Sequence, residues 1–273
     1  MCSKDSRNHA SDRSFDPPLK WAGKKRWLAP RFRELFHSLY EGRRWVEPFC
    51  GGLGLTLALH PQHALVCDIN PHLINFYRWV KRGLPPNPYQ FRNDRDTYYR
   101  LRDEFNRLII ENPTSYRAAW LFYYLNRTGY NGLCRFNGRG AFNVPFGSYA
   151  HIQYRTGFDD IKHIFRNWEF RCCSYEKLTE EIGDSDFLYA DPPYDVEFTQ
   201  YYKTGWTFER QVQLAEWLEK LPCPVVTSNM ATERICSLYR KLGFQLLTVN
   251  APRRISCNGN RTPVKEVLAY ISR

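Results

Sequence analysis

No apolar run in this chain of 273 residues approaches the ~18–20 that a membrane-crossing helix needs. Residues 1–17 also lack the apolar segment of a signal peptide, and they read as a flexible polar tail. Nine cysteines are present, yet none forms a C-x-x-C pair, their number is odd, and Cys172 and Cys173 are adjacent. That pattern argues against a zinc site and a disulfide framework, and predicts reduced, mostly buried thiols in a cytoplasmic protein. Gly23-Lys24 lacks the G-x-x-x-x-G-K-[ST] frame of a P-loop. Gly52-Leu53-Gly54 has Leu57 where the dinucleotide pattern G-x-G-x-x-G needs its last glycine. No internal repeat is visible.

A further absence lies in mid-chain. Between Asn112 and Gly157 there is no Asp, Glu or Lys, while Arg117, Arg127, Arg135, Arg139 and Arg155 share the span with eleven aromatic residues. Solubility is served by mixed signs, so it does not explain this bias. Arginine interleaved with aromatics and asparagines suits phosphate contact, base-edge hydrogen bonding and stacking. The whole chain carries a net charge of +11, which points to a polyanionic partner, nucleic acid being the commonest. Trp120 and Tyr124 fall at helical spacing and are expected in the core instead.

On either side of that span, strand and helix patterns alternate. Strands are expected at 44–49, 64–67, 169–172, 186–190, 224–228, 244–250 and 264–270. Helices are expected at 26–40, 54–60, 158–165, 175–182, 207–220 and 231–242. Within the interruption, helical patterns at 74–82, 95–110 and 115–127 lead into a glycine- and aromatic-rich stretch, 129–147, that reads as loop and β-hairpin. The predicted class is α/β: a doubly wound, mostly parallel, seven-stranded Rossmann-like sheet with an inserted helical plus β-hairpin domain. Residues 18–70 and 158–273 would form the sheet domain and residues 71–157 the insertion.

The strand 186–190 runs into Asp191-Pro192-Pro193-Tyr194. Neither proline can donate to a β-ladder, so pairing stops near Asp191. The Asp191 carboxylate and the Pro192 carbonyl then stand as two acceptors beside the flat ring of Tyr194, a set that suits a planar amine. A plain strand end with a Pro-Pro turn would show the same four residues. Elsewhere, a strand, the turn at Gly51-Gly52 and a helix are followed by Asp68 at the next strand end. Glycines let a ligand approach the backbone, and such a carboxylate can grip ribose hydroxyls, which points to an adenosine-containing ligand. Lys24-Lys25-Arg26 is either a solvated basic turn or, beside Trp21 and Gly23, a pocket wall in which a lysine meets a carboxylate. Two further loops stand out: the polar, aromatic 195–205 and the basic, turn-rich 253–261, which is a hairpin or a phosphate contact.

Five stretches resemble, in order, the motifs of the Dam-type (D12 class) DNA adenine-N6 methyltransferases. They are Lys20-Trp21-Ala22-Gly23-Lys24-Lys25, Glu47-Pro48-Phe49-Cys50-Gly51-Gly52, Asp68-Ile69-Asn70, Leu125-Asn126-Arg127 through Gly147, and Asp191-Pro192-Pro193-Tyr194. The most specific part is the pair of segments from Gly129 to Asn137 and from Phe142 to Gly147. The resemblance implies site-specific transfer of a methyl from S-adenosyl-L-methionine to the N6 amino group of an adenine flipped out of double-stranded DNA, usually within GATC. It implies Asp191, Pro192 and Tyr194 as catalytic residues, and Trp21, Lys25, Phe49, Gly51, Asp68 and Asp191 around the cofactor. On DNA it implies Leu133, Arg135 and Pro145 at base edges, with Arg135 on guanine. Tyr130 would stack in the gap left by the flipped base, and Asn131 lies in the same segment. Lys20, Arg102, Arg127, Asn137 and Asn143 would meet the DNA mainly at phosphates. No metal, obligatory protein partner or membrane is implied, and the setting would be the cytoplasm of a bacterium or of a phage's host. Leu53, Thr128, Ala141 and Ser148 depart from residues common in the family. Protein amide methyltransferases usually carry Asn, and cytosine-N4 enzymes Ser, where Asp191 stands.

Overall fold

The computed structural model describes residues 15–195, 206–252 and 264–273. The basic segment 253–261, nearly all of the loop 195–205 and most of the N-terminal tail lie outside the described residues. A 3-10 turn, Lys25–Leu28, opens the described elements and leads into α1 (Ala29–Tyr40). The α-helix starts later than the periodicity predicts because Pro30 is tolerated only in a first turn. Then follow β1 (Arg44–Glu47), α2 (Gly54–Leu59), β2 (Ala64–Asp68) and α3 (Pro71–Arg82). Next come α4 (Arg95–Glu111), α5 (Tyr116–Thr128), α6 (Asp159–Phe165), β3 (Trp168–Cys172) and β4 (Asp186–Ala190). The chain closes with α7 (Phe208–Lys220), β5 (Val225–Met230), α8 (Glu233–Lys241), β6 (Gln245–Ala251) and β7 (Val264–Ile271). The segment expected as a helix at 175–182 is a 3-10 helix, Tyr175–Glu181.

The seven strands form one sheet in the order β3-β2-β1-β4-β5-β7-β6. Only β7 runs against its neighbours, pairing antiparallel with β5 and β6; the other pairs are parallel. β4 lies between β1 and β5 and is buried along its whole length, as an apolar run without polar alternation predicts. Its side chains alternate between two cores. Phe187 and Tyr189 join Phe32 and Trp45 on one face, while Leu188 and Ala190 join Val46 and Leu214 on the other. Arg44 holds the start of β4 through two 2.8 Å hydrogen bonds to the buried Asp186 carboxylate.

Between β2 and β3 the chain builds a helical unit. Asn70 caps α3 by accepting from the amides of His72 (3.0 Å) and Leu73 (3.2 Å), and Asp94 and Ser115 cap α4 and α5 in the same way. α5 is buried almost all round, Trp120 and Tyr124 included. α3 packs on α5 but also on β2, β3 and α6, and its apolar residues belong to the same core as one face of the sheet. The expected boundary at residue 71 therefore falls inside shared packing.

The stretch 129–147 folds back on itself without forming regular strands. Two isolated antiparallel bridges, Gly129 with Phe146 and Phe136 with Phe142, replace the expected hairpin ladder. Pro145 has no amide hydrogen to give, and Asn131 and Gly140 take left-handed conformations (φ 53° and 77°), so a continuous ladder cannot form. The cysteines also differ from expectation. Cys50, Cys67 and Cys223 are buried, but Cys134, Cys173 and Cys236 are half-buried and Cys172 is exposed, at the end of edge strand β3. Among the described residues no helix is long and apolar enough to cross a membrane, and no group of three or more His, Cys, Asp or Glu could hold a metal ion.

Candidate active site

Asp191 leaves the carboxyl end of β4, where neighbouring strands supply its partners. Ser228 on β5 donates from Oγ to Asp191 Oδ1 at 2.6 Å, and the buried Tyr189 hydroxyl lies 3.1 Å from the same Oγ. Lys25 Nζ is 3.5 Å from Asp191 Oδ1, donates to Glu266 Oε1 at 3.3 Å and sits 4.5 Å from the centre of the Tyr194 ring. Tyr194 donates its hydroxyl to Glu266 Oε2 at 2.8 Å. Burial pushes the Tyr194 phenol well above its ordinary range, with the Asp191 and Glu266 carboxylates adding to the effect. Burial also raises Glu266, against the opposing pull of Lys25.

The turn itself is fixed from behind. Gln211 donates to the Pro193 carbonyl at 2.8 Å, Asn229 donates to Gln211 at 3.0 Å, and the Asp195 amide donates to Asn229 at 3.2 Å. Arg234 grips the buried Asp195 carboxylate. Among the described residues, neither Asp191 Oδ2 nor the Pro192 carbonyl accepts a hydrogen bond. Ser228 thus holds one oxygen of the Asp191 carboxylate, its second oxygen is without a partner among the described residues, and Pro192 itself is buried.

A small cavity of about 80 Å³ reaches Asp191 and is lined by Trp21, Lys25, Glu47, Phe49, Gly51 and Tyr189, among others. Its glycines are required: a Cβ on Gly51 would lie 2.6 Å from Trp21 Nε1, and one on Gly52 2.6 Å from Trp21 Cβ. Leu53 takes φ 55° to close this turn, a strained choice for a β-substituted residue. Asp68 does not line the cavity; it lies next to it, accepting from the amides of Gly51 (3.1 Å) and Asn70 (2.9 Å). Burial raises the Asp68 carboxyl, and these amides oppose the rise. Glu47 is fully buried and takes a hydrogen bond from Thr56; burial pushes it up to about 8.

A cleft of about 1630 Å³ opens on the same side, and Tyr194, Trp21, Lys20, Lys24, Arg127, Asn131 and Tyr149 all border it. Lys20 donates to the Arg127 carbonyl at 2.8 Å, with its ammonium 3.5 Å from the centre of the Tyr149 ring. Burial lowers Lys20 to about 8, helped by Arg127 and Lys24, and burial with Arg127 lowers Lys24 to about 8 as well. Arg127 Nε is buried without a hydrogen-bond partner among the described residues. Tyr130 and Leu133 project from the loop, 50% and 40% exposed.

The other candidates for DNA contact do not line this cleft. Arg135 donates from Nε to Asn143 Oδ1 at 2.9 Å, so two residues expected to act separately are partners. Asn137 is partly engaged in its own turn, accepting from the amides of Arg139 and Ala141, both at 3.0 Å. Arg102 lies over the Tyr99 ring and reaches toward the Val144 carbonyl (3.5 Å), while Pro145 is exposed. The sequence reading missed Ser228 and Glu266, which contact Asp191 and Tyr194, and the exposure of Ile69. The first two lie on strands distant in sequence and carry no local signal. Ile69 follows Asp68 at a strand end and is 74% exposed, where an isoleucine is ordinarily expected to be buried, so only the structure brings it out.

Residues 21–255 match the family described as D12 class N6 adenine-specific DNA methyltransferase. The chain is 34% identical to the retron Ec67 DNA adenine methylase of Escherichia coli, over 92% of this chain and 90% of that protein. It is 35% identical to a DNA adenine methylase of Vibrio cholerae, covering 93% of this chain and 95% of the relative. With the DNA adenine methylase of Escherichia coli K12 the identity is 36%, over 92% and 93%. A match of this extent, on a mostly parallel seven-stranded sheet whose β4 runs into Asp191, places the chain in the D12 class of N6 adenine-specific DNA methyltransferases.

Proposed function

We propose that this enzyme moves a methyl from S-adenosyl-L-methionine to N6 of an adenine rotated out of double-stranded DNA, within GATC. In this reading residues 71–157 recognise the target, and residues 18–70 and 158–273 carry the chemistry. The observation that carries it is the Asp191 carboxylate, held by Ser228 at the wall of the cavity, with the Pro192 carbonyl next in the chain. The GATC assignment rests on the match of Gly129 to Gly147 to the family's recognition motif.

The residues fit the methyl donor. Gly51 and Gly52 let the Trp21 ring and Cβ pack directly on the backbone, and Trp21, Phe49, Lys25 and Asp191 then line the small cavity beside that turn. Only about 80 Å³ is enclosed, so much of the molecule would lie outward, toward Asp68 and the exposed Ile69. When bound, S-adenosyl-L-methionine supplies an electrophilic methyl on a positively charged sulfur. The protein has to improve the nucleophile. An adenine amino group is weak because its lone pair is delocalised into the ring. Accepting both of its N–H bonds, at Asp191 and at Pro192, favours a pyramidal nitrogen with its lone pair free. The same acceptors stabilise the positive charge that develops on nitrogen during transfer, so the help is greatest in the transition state. Ser228 fixes the carboxylate, and Glu266 anchors the Tyr194 ring as a stacking face. Positioning supplies the rest.

Extruding the base costs a few kcal/mol, offset by stacking on Tyr194 and by Tyr130 filling the gap. Asn143 steadies Arg135 through Nε and, by its carbonyl at 3.4 Å, through one Nη, which leaves the remaining Nη hydrogens for a guanine edge. Leu133 and Pro145 would meet neighbouring bases, and Lys20, Arg102, Arg127 and Asn137 the backbone. Methylating plasmid DNA and mapping modified adenines by single-molecule sequencing tests this reading. The expected result is N6-methyladenine in GATC, absent with Asp191→Ala although that variant still binds DNA. Methylation at another motif would overturn the site assignment, and an active Asp191→Ala would overturn the mechanism.

A further inference from the structure

Asn126 stands in the last turn of α5, is 1% exposed, and turns its amide away from its own helix. Its Oδ1 accepts the Lys20 amide hydrogen at 2.8 Å, and its Nδ2 donates to the Lys20 carbonyl at 2.7 Å. One side chain thus satisfies both backbone groups of a residue 106 positions earlier. The same Nδ2 lies 3.4 Å from the carbonyl of Gly132, in the loop that presents Tyr130 and Leu133. Gly132 is pressed against Lys20: with φ at +62°, a Cβ there would come within 2.4 Å of Lys20 Cβ.

From Lys20 the contacts continue toward the cofactor cavity. Trp21 is the next residue, and its ring and Cβ lie where Gly51 and Gly52 would carry side chains. The Gly51 amide in turn donates to Asp68. An unbroken path therefore runs from the exposed loop through one buried amide and one peptide unit to the cavity wall. Buried polar groups are expensive to leave unpaired, so Asn126 and the Lys20 backbone cannot easily separate. If the loop shifts on DNA, the Lys20–Trp21 unit has to follow.

We propose that Asn126 is a positioning residue that couples the seating of the 130–133 loop on DNA to the shape of the cofactor pocket. DNA and cofactor then strengthen each other's binding, and by linkage the factor is the same in both directions. Because the junction is a neutral, buried amide, the coupling survives salt that weakens DNA binding itself.

The proposal rests on the cofactor reading above, and the test separates the two. Calorimetry would give the affinity for S-adenosylhomocysteine with and without a saturating GATC duplex, for wild type, Asn126→Ala and Asn126→Asp. In wild type the duplex should tighten binding about fivefold or more. Both variants should bring that ratio close to one; Asn126→Asp sets a second oxygen against the Lys20 and Gly132 carbonyls and should do so at least as fully. A purely structural loss would lower the binding-competent fraction and leave the ratio alone. Amide hydrogen exchange at residues 51–55 gives a second readout: DNA alone should slow it in wild type and not in the variants. Should the Asn126 variants fail to fold, Gly132→Ala strikes the same junction from the loop side and is judged by the same ratio. A wild-type enzyme that binds no S-adenosylhomocysteine would overturn the cofactor reading and this proposal with it. Normal binding with a wild-type ratio of one, or variants that keep the wild-type ratio, would overturn the coupling alone.

Discussion

Ser228→Ala probes how far the chemistry depends on fixing the Asp191 carboxylate. The substitution removes one oxygen from a fully buried position on β5, so sterics are unaffected. It deletes the 2.6 Å hydrogen bond to Asp191 Oδ1, after which the carboxylate can rotate and Oδ2 loses its aim. A hydrogen bond to a charged group is worth ~1.5–3 kcal/mol. Expressed wholly in the transition state, that is a roughly 10- to 150-fold loss of rate. The same change leaves the Tyr189 hydroxyl, fully buried, without the partner it has at 3.1 Å, at a cost to stability of ~1–3 kcal/mol. The two effects separate in the double variant Ser228→Ala with Tyr189→Phe, which has no orphaned hydroxyl. Stability measured in urea should return toward wild type while single-turnover methyl transfer stays slow. A Ser228→Ala rate within about twofold of wild type, or a rate restored by adding Tyr189→Phe, would refute the positioning argument.

Asp68→Ala should weaken cofactor binding about tenfold or more by calorimetry without DNA; unchanged affinity would mean that the pocket has been placed wrongly. Arg135→Ala should relax selection at one base position by ~1–3 kcal/mol, read as rates on GATC and its single-base variants, whereas a uniform slowing would make it a phosphate contact. Arg127→Ala should weaken all sequences alike and flatten the salt slope by ~0.9; a change confined to one base position would contradict that. Lys20 and Lys24, lowered to about 8, are charged below that pH and neutral above it. DNA affinity and salt slope should therefore fall as pH rises from 7 to 9, and Lys20→Arg with Lys24→Arg should hold both steady, since arginine stays charged. A wild-type slope that is constant to pH 9 would refute this.

Much of the sheet was legible because its strands are short apolar runs cut by turns, and β4 starts and stops where Asp186 and the Pro192-Pro193 pair dictate. The positions of Asp191 and Asp68 at strand ends were legible for the same reason. Ser228 and Glu266 were not, since only the pairing of β5 with β4 and β7 brings them to Asp191, and no local pattern encodes that pairing. The expected β-hairpin was read from alternating aromatics, but Phe136, Phe142 and Phe146 pack on the helical unit instead of marking a ladder. Cys172 misled because cysteine is usually buried, and edge position is a property of the sheet order.

β2 and β3 pair along five consecutive residues, although the whole of 69–167 is threaded between them. The chain thus departs and returns at adjacent strands, and the sheet closes whatever the length of the excursion. Closure entropy grows only with the logarithm of loop length, ~0.6 kcal/mol for each doubling. The excursion is nonetheless bound to the scaffold by packing: residues of α3, α4, α5 and α6 all share one core with a face of the sheet, so its helices cannot be exchanged without repacking that face. Asp191, Ser228 and Glu266 all come later in the chain, on or next to strands outside the excursion. Chain order thus separates the excursion from the strands around Asp191, while the shared core joins the two.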